Sequence, residues 1–150
     1  MAEKGIFALR TATDLFGKLE RDLQRVKDNP ADSYAAFDFF VTAFHLWDWK
    51  GKKQVFVPNK LPQPDKATWE VCAQLANGSK HFELFDTYSS VKRTKLTGAA
   101  FQADAFQPNA FQVGHLIVRL EAEPARHLGS TSIRVDVLAE RLVKFWRSRL

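Results

Sequence analysis

Two short stretches carry the side chains that can move protons or hold charge. In Phe44-His45-Leu46-Trp47-Asp48-Trp49, His45 and Asp48 stand three apart. In Ala76-Asn77-Gly78-Ser79-Lys80-His81, Asn77 and His81 stand four apart and Asn77 and Lys80 three apart. Steps of three and four bring side chains to one face of a helix. An imidazole that titrates near pH 6.5 gives and takes protons at neutral pH. A lysine beside it can stabilise charge developing on a phosphoryl group. If the helices that carry the two stretches cross, His45, Asp48, Asn77, Lys80 and His81 form one candidate acid–base centre. The plainer reading makes His45–Asp48 a local polar pair, and Asn77 and Lys80 ordinary residues of a helix C-terminus, favoured there for capping and dipole reasons. His45, Asp48 and His81 offer nitrogen and oxygen ligands. Metal sites within helical bundles, however, draw on Glu-x-x-His pairs from facing helices, and the chain has none. No metal and no cofactor is expected. Ser79 lies two residues before His81, on another face, and there is neither a G-x-S-x-G turn nor a glycine-rich phosphate loop.

The elements that must position these residues read as four helices. The first spans about Ile6–Lys27, with Ala12, Leu15, Phe16, Leu19, Leu23 and Val26 on one stripe. Thr11 followed by Asp14 has the form of a capping box. Asn29-Pro30 suits the cap and first turn of a second helix, about Ala31–Lys50, which is apolar nearly all round. A helix of that kind is expected at the centre, so its polar members Asp38, Thr42, His45 and Asp48 are the informative ones. Residues 51–64 read as a loop with three prolines and a short β-like piece at Gln54–Val57. The third helix is expected from Asp65 to Phe82 or Leu84, capped by Asp65 or Thr68, with Trp69, Cys72, Leu75 and Ala76 on its apolar stripe and Gly78 within it. The last spans about Ser130–Leu150, with Val135, Leu138, Leu142, Phe145 and Trp146 facing inward.

Residues 85–129 differ in character. Ala-Phe-Gln recurs at 100–102, 105–107 and 110–112, a period of five that neither strand nor helix keeps on one face. Phe101, Phe106 and Phe111 are therefore expected in a loop that either inserts them into a core or groove or presents them as aromatic anchors to a partner. His115–Glu121 alternates as a strand does, and Val91–Leu96 is a weaker strand. The fold class is thus mainly α: one domain over residues 1–150, an antiparallel four-helix bundle with a β-rich, Phe-rich insertion at about 85–129 between helices three and four.

Composition agrees with a packed, soluble chain. With 150 residues, 13 Phe and 4 Trp, it has ample core material. One cysteine, Cys72, excludes a disulfide scaffold. No long uncharged apolar run suggests a membrane span or a secretory signal, so a cytoplasmic location is expected. The net charge of +5 is concentrated at 130–150, where five bases meet Asp136 and Glu140. Arg141, Lys144 and Arg147 there are candidate contacts to RNA or another acidic partner.

The stretches AAFDFFVTAFHLWDW (35–49) and CAQLANGSKHF (72–82) resemble a group of small uncharacterised bacterial proteins with the motifs FFVTA-H-DW and LANGSKHF. More distantly the layout resembles a HEPN domain, a helical bundle of bacterial toxin–antitoxin and antiviral systems. The resemblance implies a metal-independent ribonuclease motif of Arg, a polar residue, three more residues and His. Asn77 falls on the polar position and His81 on the His, but the Arg position holds Ala76. The expected function is therefore a non-catalytic or weakly catalytic HEPN-like interaction module, a homodimer or bound to a protein partner. The alternative is a ribonuclease with His81 as acid or base, Asn77 orienting the phosphate and Lys80 stabilising its charge.

Overall fold

The computed structural model describes residues 2–81, 90–97 and 114–150. The Phe101, Phe106 and Phe111 repeat lies outside the described residues, as do Phe82 and Leu84, where the third helix was expected to end.

The chain is mainly helical with a small three-stranded antiparallel sheet. Helix α1 is Ala12–Asp28. Its capping box forms as the sequence predicts: Thr11 Oγ1 accepts from the Asp14 backbone N–H, and Asp14 accepts from Thr11 N–H at 2.8 Å. Helix α2 is Ser33–Trp49. Its cap is Asp32, not Asn29: the Asp32 carboxylate accepts from the N–H groups of Tyr34 and Ala35, whereas Pro30 lies before the helix. Gln54 ends a 3-10 turn, Lys52–Gln54, in place of the β-like piece. Helix α3 is Asp65–His81. Thr68 does not cap it; its hydroxyl donates to the Pro64 carbonyl from within the first turn.

The described residues of the region expected as an insertion, 90–97 and 114–129, form two strands and a short helix. Strand β1 (Val91–Thr97) pairs with β2 (His115–Leu120), and β2 with β3 (Ser132–Arg134), all antiparallel. A short helix α4 (Ala122–Leu128) separates β2 from β3 and ends at Gly129 in the left-handed conformation that glycine adopts without strain. The last helix, α5, is Val135–Arg147, so residues 130–134, expected as helix, form a turn and a strand instead.

Pairwise contacts give the directions. Lys18 and Asp22 meet Thr42 while Arg25 meets Asp38, so α1 and α2 are antiparallel. Cys72 Sγ lies 3.9 Å from the Phe40 carbonyl and Trp69 stacks on Phe44, which makes α2 and α3 antiparallel. Lys27–Glu140 and Arg147–Glu20 run α5 against α1. One core cluster draws on every helix and all three strands. At its centre Trp69 and Trp146, both fully buried, meet Phe56 and Phe145. Trp146 Nε1 donates to the Ala43 carbonyl at 2.8 Å, tying α5 to α2. Helix α2 is central along most of its length, yet Tyr34 is 84% and Phe37 52% exposed near its start.

Candidate functional site

His45 and Asp48 lie in the last turns of α2, exposed to solvent. Asp48 is engaged by Lys52 at 3.1 Å, and the His45 ring tilts over Phe44 at a centroid distance of 6.5 Å. Asn77, Lys80 and His81 occupy the last turns of α3; Asn77 is half-buried, Lys80 and His81 are exposed. The two stretches do not converge. The register that sets Phe44 beside Trp69 and Phe40 beside Cys72 places His45 level with Thr68, 13 residues before His81. At 1.5 Å per residue the stretches are about 20 Å apart. Proton transfer needs contact near 3 Å, directly or through one water. The expected five-residue acid–base centre is therefore not assembled, because both stretches sit at the C-terminal ends of antiparallel helices.

What does come together near the Asn77 end is an apolar groove of about 330 Å³. Ser33, Phe37 and Phe40 form its α2 wall, Leu75, Gly78 and Ser79 its α3 wall, and the inner face of β1 and β2 its floor. Gly78, unfavourable within a helix, lies on this wall. Ser79 turns its hydroxyl back to the Ala76 carbonyl at 2.6 Å. On the rim Phe37 is 52% and Leu96 49% exposed. Phe37 had the helical spacing of a core residue; it projects instead beside the groove.

A polar cluster between α1 and α2 was not singled out from the sequence as a unit. Asp22 is buried in the α1 stripe and is held by Lys18 Nζ at 2.5 Å and Thr42 Oγ1 at 3.2 Å. Arg25 bridges Asp22 and Asp38. The hydrogen bond to Asp38 raises the Arg25 pKa further. The available signal was a carboxylate four residues after a lysine on an otherwise apolar stripe. The cluster is a linkage between helices whose charges are mutually satisfied.

On α5, Arg147 pairs with Glu20 at 3.3 Å and lies over the Phe16 ring, while Arg141 and Lys144 border a small cleft with Asp65 and Arg149. Arg149 pairs with Asp65 at 2.7 Å and stacks over Phe145, its centre 3.8 Å from the ring centroid. Cys72 is fully buried, and burial pushes its thiol far above the ordinary range, so it is not a nucleophile at neutral pH. Among the described residues no three His, Cys, Asp or Glu side chains gather as a metal site, and no helix is long and apolar enough to cross a membrane. No known family, curated protein or solved structure matches the chain.

Proposed function

We propose that the protein is a non-catalytic interaction module, with its four long helices in a HEPN-like bundle, acting in the cytoplasm of a bacterium within a defence or toxin–antitoxin pair. Its contact surface is the apolar groove, and its partner there is a second copy of the chain. The supporting observation is the pairing of a hole with a knob: the groove of about 330 Å³ has half-exposed Phe37 and Leu96 on its own rim. A two-fold contact is self-complementary, so each copy must carry both halves of it. Exposed aromatic and aliphatic side chains beside an apolar pocket are the usual anchors of such a contact. The test is sedimentation equilibrium at micromolar concentrations. Wild type is expected as a dimer, and Phe37→Glu/Leu96→Glu as a monomer with unchanged circular dichroism. A monomeric wild type, or a variant that dimerises equally, overturns the proposal.

A second reading, ribonuclease activity, is favoured by Asn77, Lys80 and His81 sharing the exposed end of α3. Against it stand Ala76 at the arginine position and the distance of about 20 Å from His45, worked from the helix rise. Cleavage of total RNA that is lost in His81→Ala would establish this reading in place of the first.

A further inference from the structure

The sheet has two faces, and the groove is lined by residues 94–96 of β1 and 116–118 of β2, Lys95 and Ile117 among them. Cross-strand partners lie on the same face, and alternate residues along a strand share it. Thr94–Val118 and Leu96–Leu116 are therefore the inner pairs, with Val118 fully buried. The outer face carries Arg93 opposite Arg119, Lys95 opposite Ile117, Arg119 opposite Ser132, and Ile117 opposite Arg134.

Four cations thus share one small face. Neighbouring strands are about 4.8 Å apart and alternate residues about 6.7 Å apart, so the backbone positions of Arg93, Lys95, Arg119 and Arg134 stand within about 12 Å of one another. Folding does not call for this arrangement, because like charges directly across a strand pair repel. Among the described residues Arg93, Lys95 and Arg119 have no acidic partner. Arg134 is held by Asp136 through two 3.0 Å bonds. Arg119, on the middle strand, has a buried Nε with no acceptor among the described residues.

We propose that this outer face binds the phosphate backbone of a single-stranded nucleic acid, with Arg93, Lys95 and Arg119 as the phosphate contacts. Guanidinium groups match phosphate oxygens in a fork geometry, and several cations spaced in two directions match a chain of phosphates better than one small anion. Among the described residues Arg93, Lys95, Arg119 and Arg134 have no aromatic side chain interleaved with them, so the backbone is read rather than the bases. Among the described residues the face is sheet, whereas a duplex groove admits a helix or a two-stranded ribbon. Lys95 also lines the groove, whereas Arg93 and Arg119 do not.

Fluorescence anisotropy of the full chain with labelled oligo(U) and oligo(dT), over a salt series of about 0.05–0.2 M, tests it. Three phosphate contacts give a slope of log K against log salt of about −2, from about −0.7 per contact. Arg93→Ala/Lys95→Ala, on an edge strand, is expected to lose about 25-fold in affinity at 0.1 M salt and to flatten the slope by about 1.4. Arg141→Ala/Lys144→Ala, on α5, is expected to bind as wild type. Unfolding midpoints of both variants confirm that they remain folded. No binding at the lowest salt overturns the proposal. So does equal loss in the α5 variant, or equal affinity for polyglutamate or phosphatidylserine vesicles.

Discussion

Gln74 is the side chain on which the position of the sheet depends, and replacing it is the sharpest test of the packing described above. Its Oε1 accepts from the backbone N–H of Ser90 at 2.8 Å and of Val91 at 2.7 Å, and its Nε2 donates to the Val91 carbonyl at 3.3 Å. Gln74, Ser90 and Val91 are all buried. A methionine has nearly the same volume but no acceptor, so Gln74→Met leaves two buried N–H groups unpaired. Each costs about 1–3 kcal/mol, which gives a loss of about 2–6 kcal/mol. Gln74→Ala adds the cost of a void, reduced where water enters the polar cavity. A domain of this size has a stability of about 5–15 kcal/mol, so either loss is a large fraction of the whole. Urea unfolding followed by tryptophan fluorescence reads it. With a slope of about 2 kcal/mol per molar, the midpoint falls by about 1–3 M. A Gln74→Met midpoint within about 0.3 M of wild type refutes the reasoning, since the amide bonds would then not seat β1 on α3. Hydrogen exchange adds the location: Ser90 and Val91 amides are expected to lose protection first.

Three further outcomes are expected. Trp69 and Trp146 are both fully buried, but only Trp146 donates a hydrogen bond, to Ala43, whereas Trp69 Nε1 has no acceptor among the described residues. Trp146→Phe should therefore cost about 1 kcal/mol more than Trp69→Phe in the same urea assay. Cys72, whose thiol is raised by burial, should react with a thiol reagent such as DTNB only at the rate of unfolding, and denaturant should accelerate labelling in step with the fluorescence transition. The Asp14 carboxyl is held below its ordinary value of 3.8 by the Arg10 N–H, then by the Thr11 hydroxyl and N–H. A lowered native pKa contributes stability that is complete above 3.8 and is lost as pH falls through the native value. The urea midpoint of Asp14→Asn should lie below wild type at neutral pH and converge on it in strong acid.

Local chemistry was legible in the sequence. The α1 capping box needs only Thr11 and Asp14, and the β2 strand only the alternation from His115 onward, so both are found where the residues place them. Short or tertiary elements were not. Strand β3 has three residues and α4 seven, each too short to show a period. Phe37 has the spacing of a core residue, and only the end of the helix packing leaves it exposed. The buried Asp22 pairs with Thr42 twenty residues away, a partnership that periodicity in α1 alone does not reveal.

The acid–base centre fails for a topological reason. Helices α2 and α3 pack antiparallel, so residues near the C-terminus of one lie beside the N-terminus of the other. His45 ends α2 and His81 ends α3, and the same topology that makes them neighbours in a linear reading sets them at opposite ends of the helix pair. Strand pairing has the reverse effect on the basic residues. Arg93 and Arg119 are 26 positions apart in the chain, yet the β1–β2 register sets them directly opposite. The residues with acid–base chemistry in the sequence are thus dispersed by the fold, while cations that drew no notice in the sequence are gathered onto one face. The strand register therefore sets cations side by side, whereas the helix packing sets His45 and His81 apart.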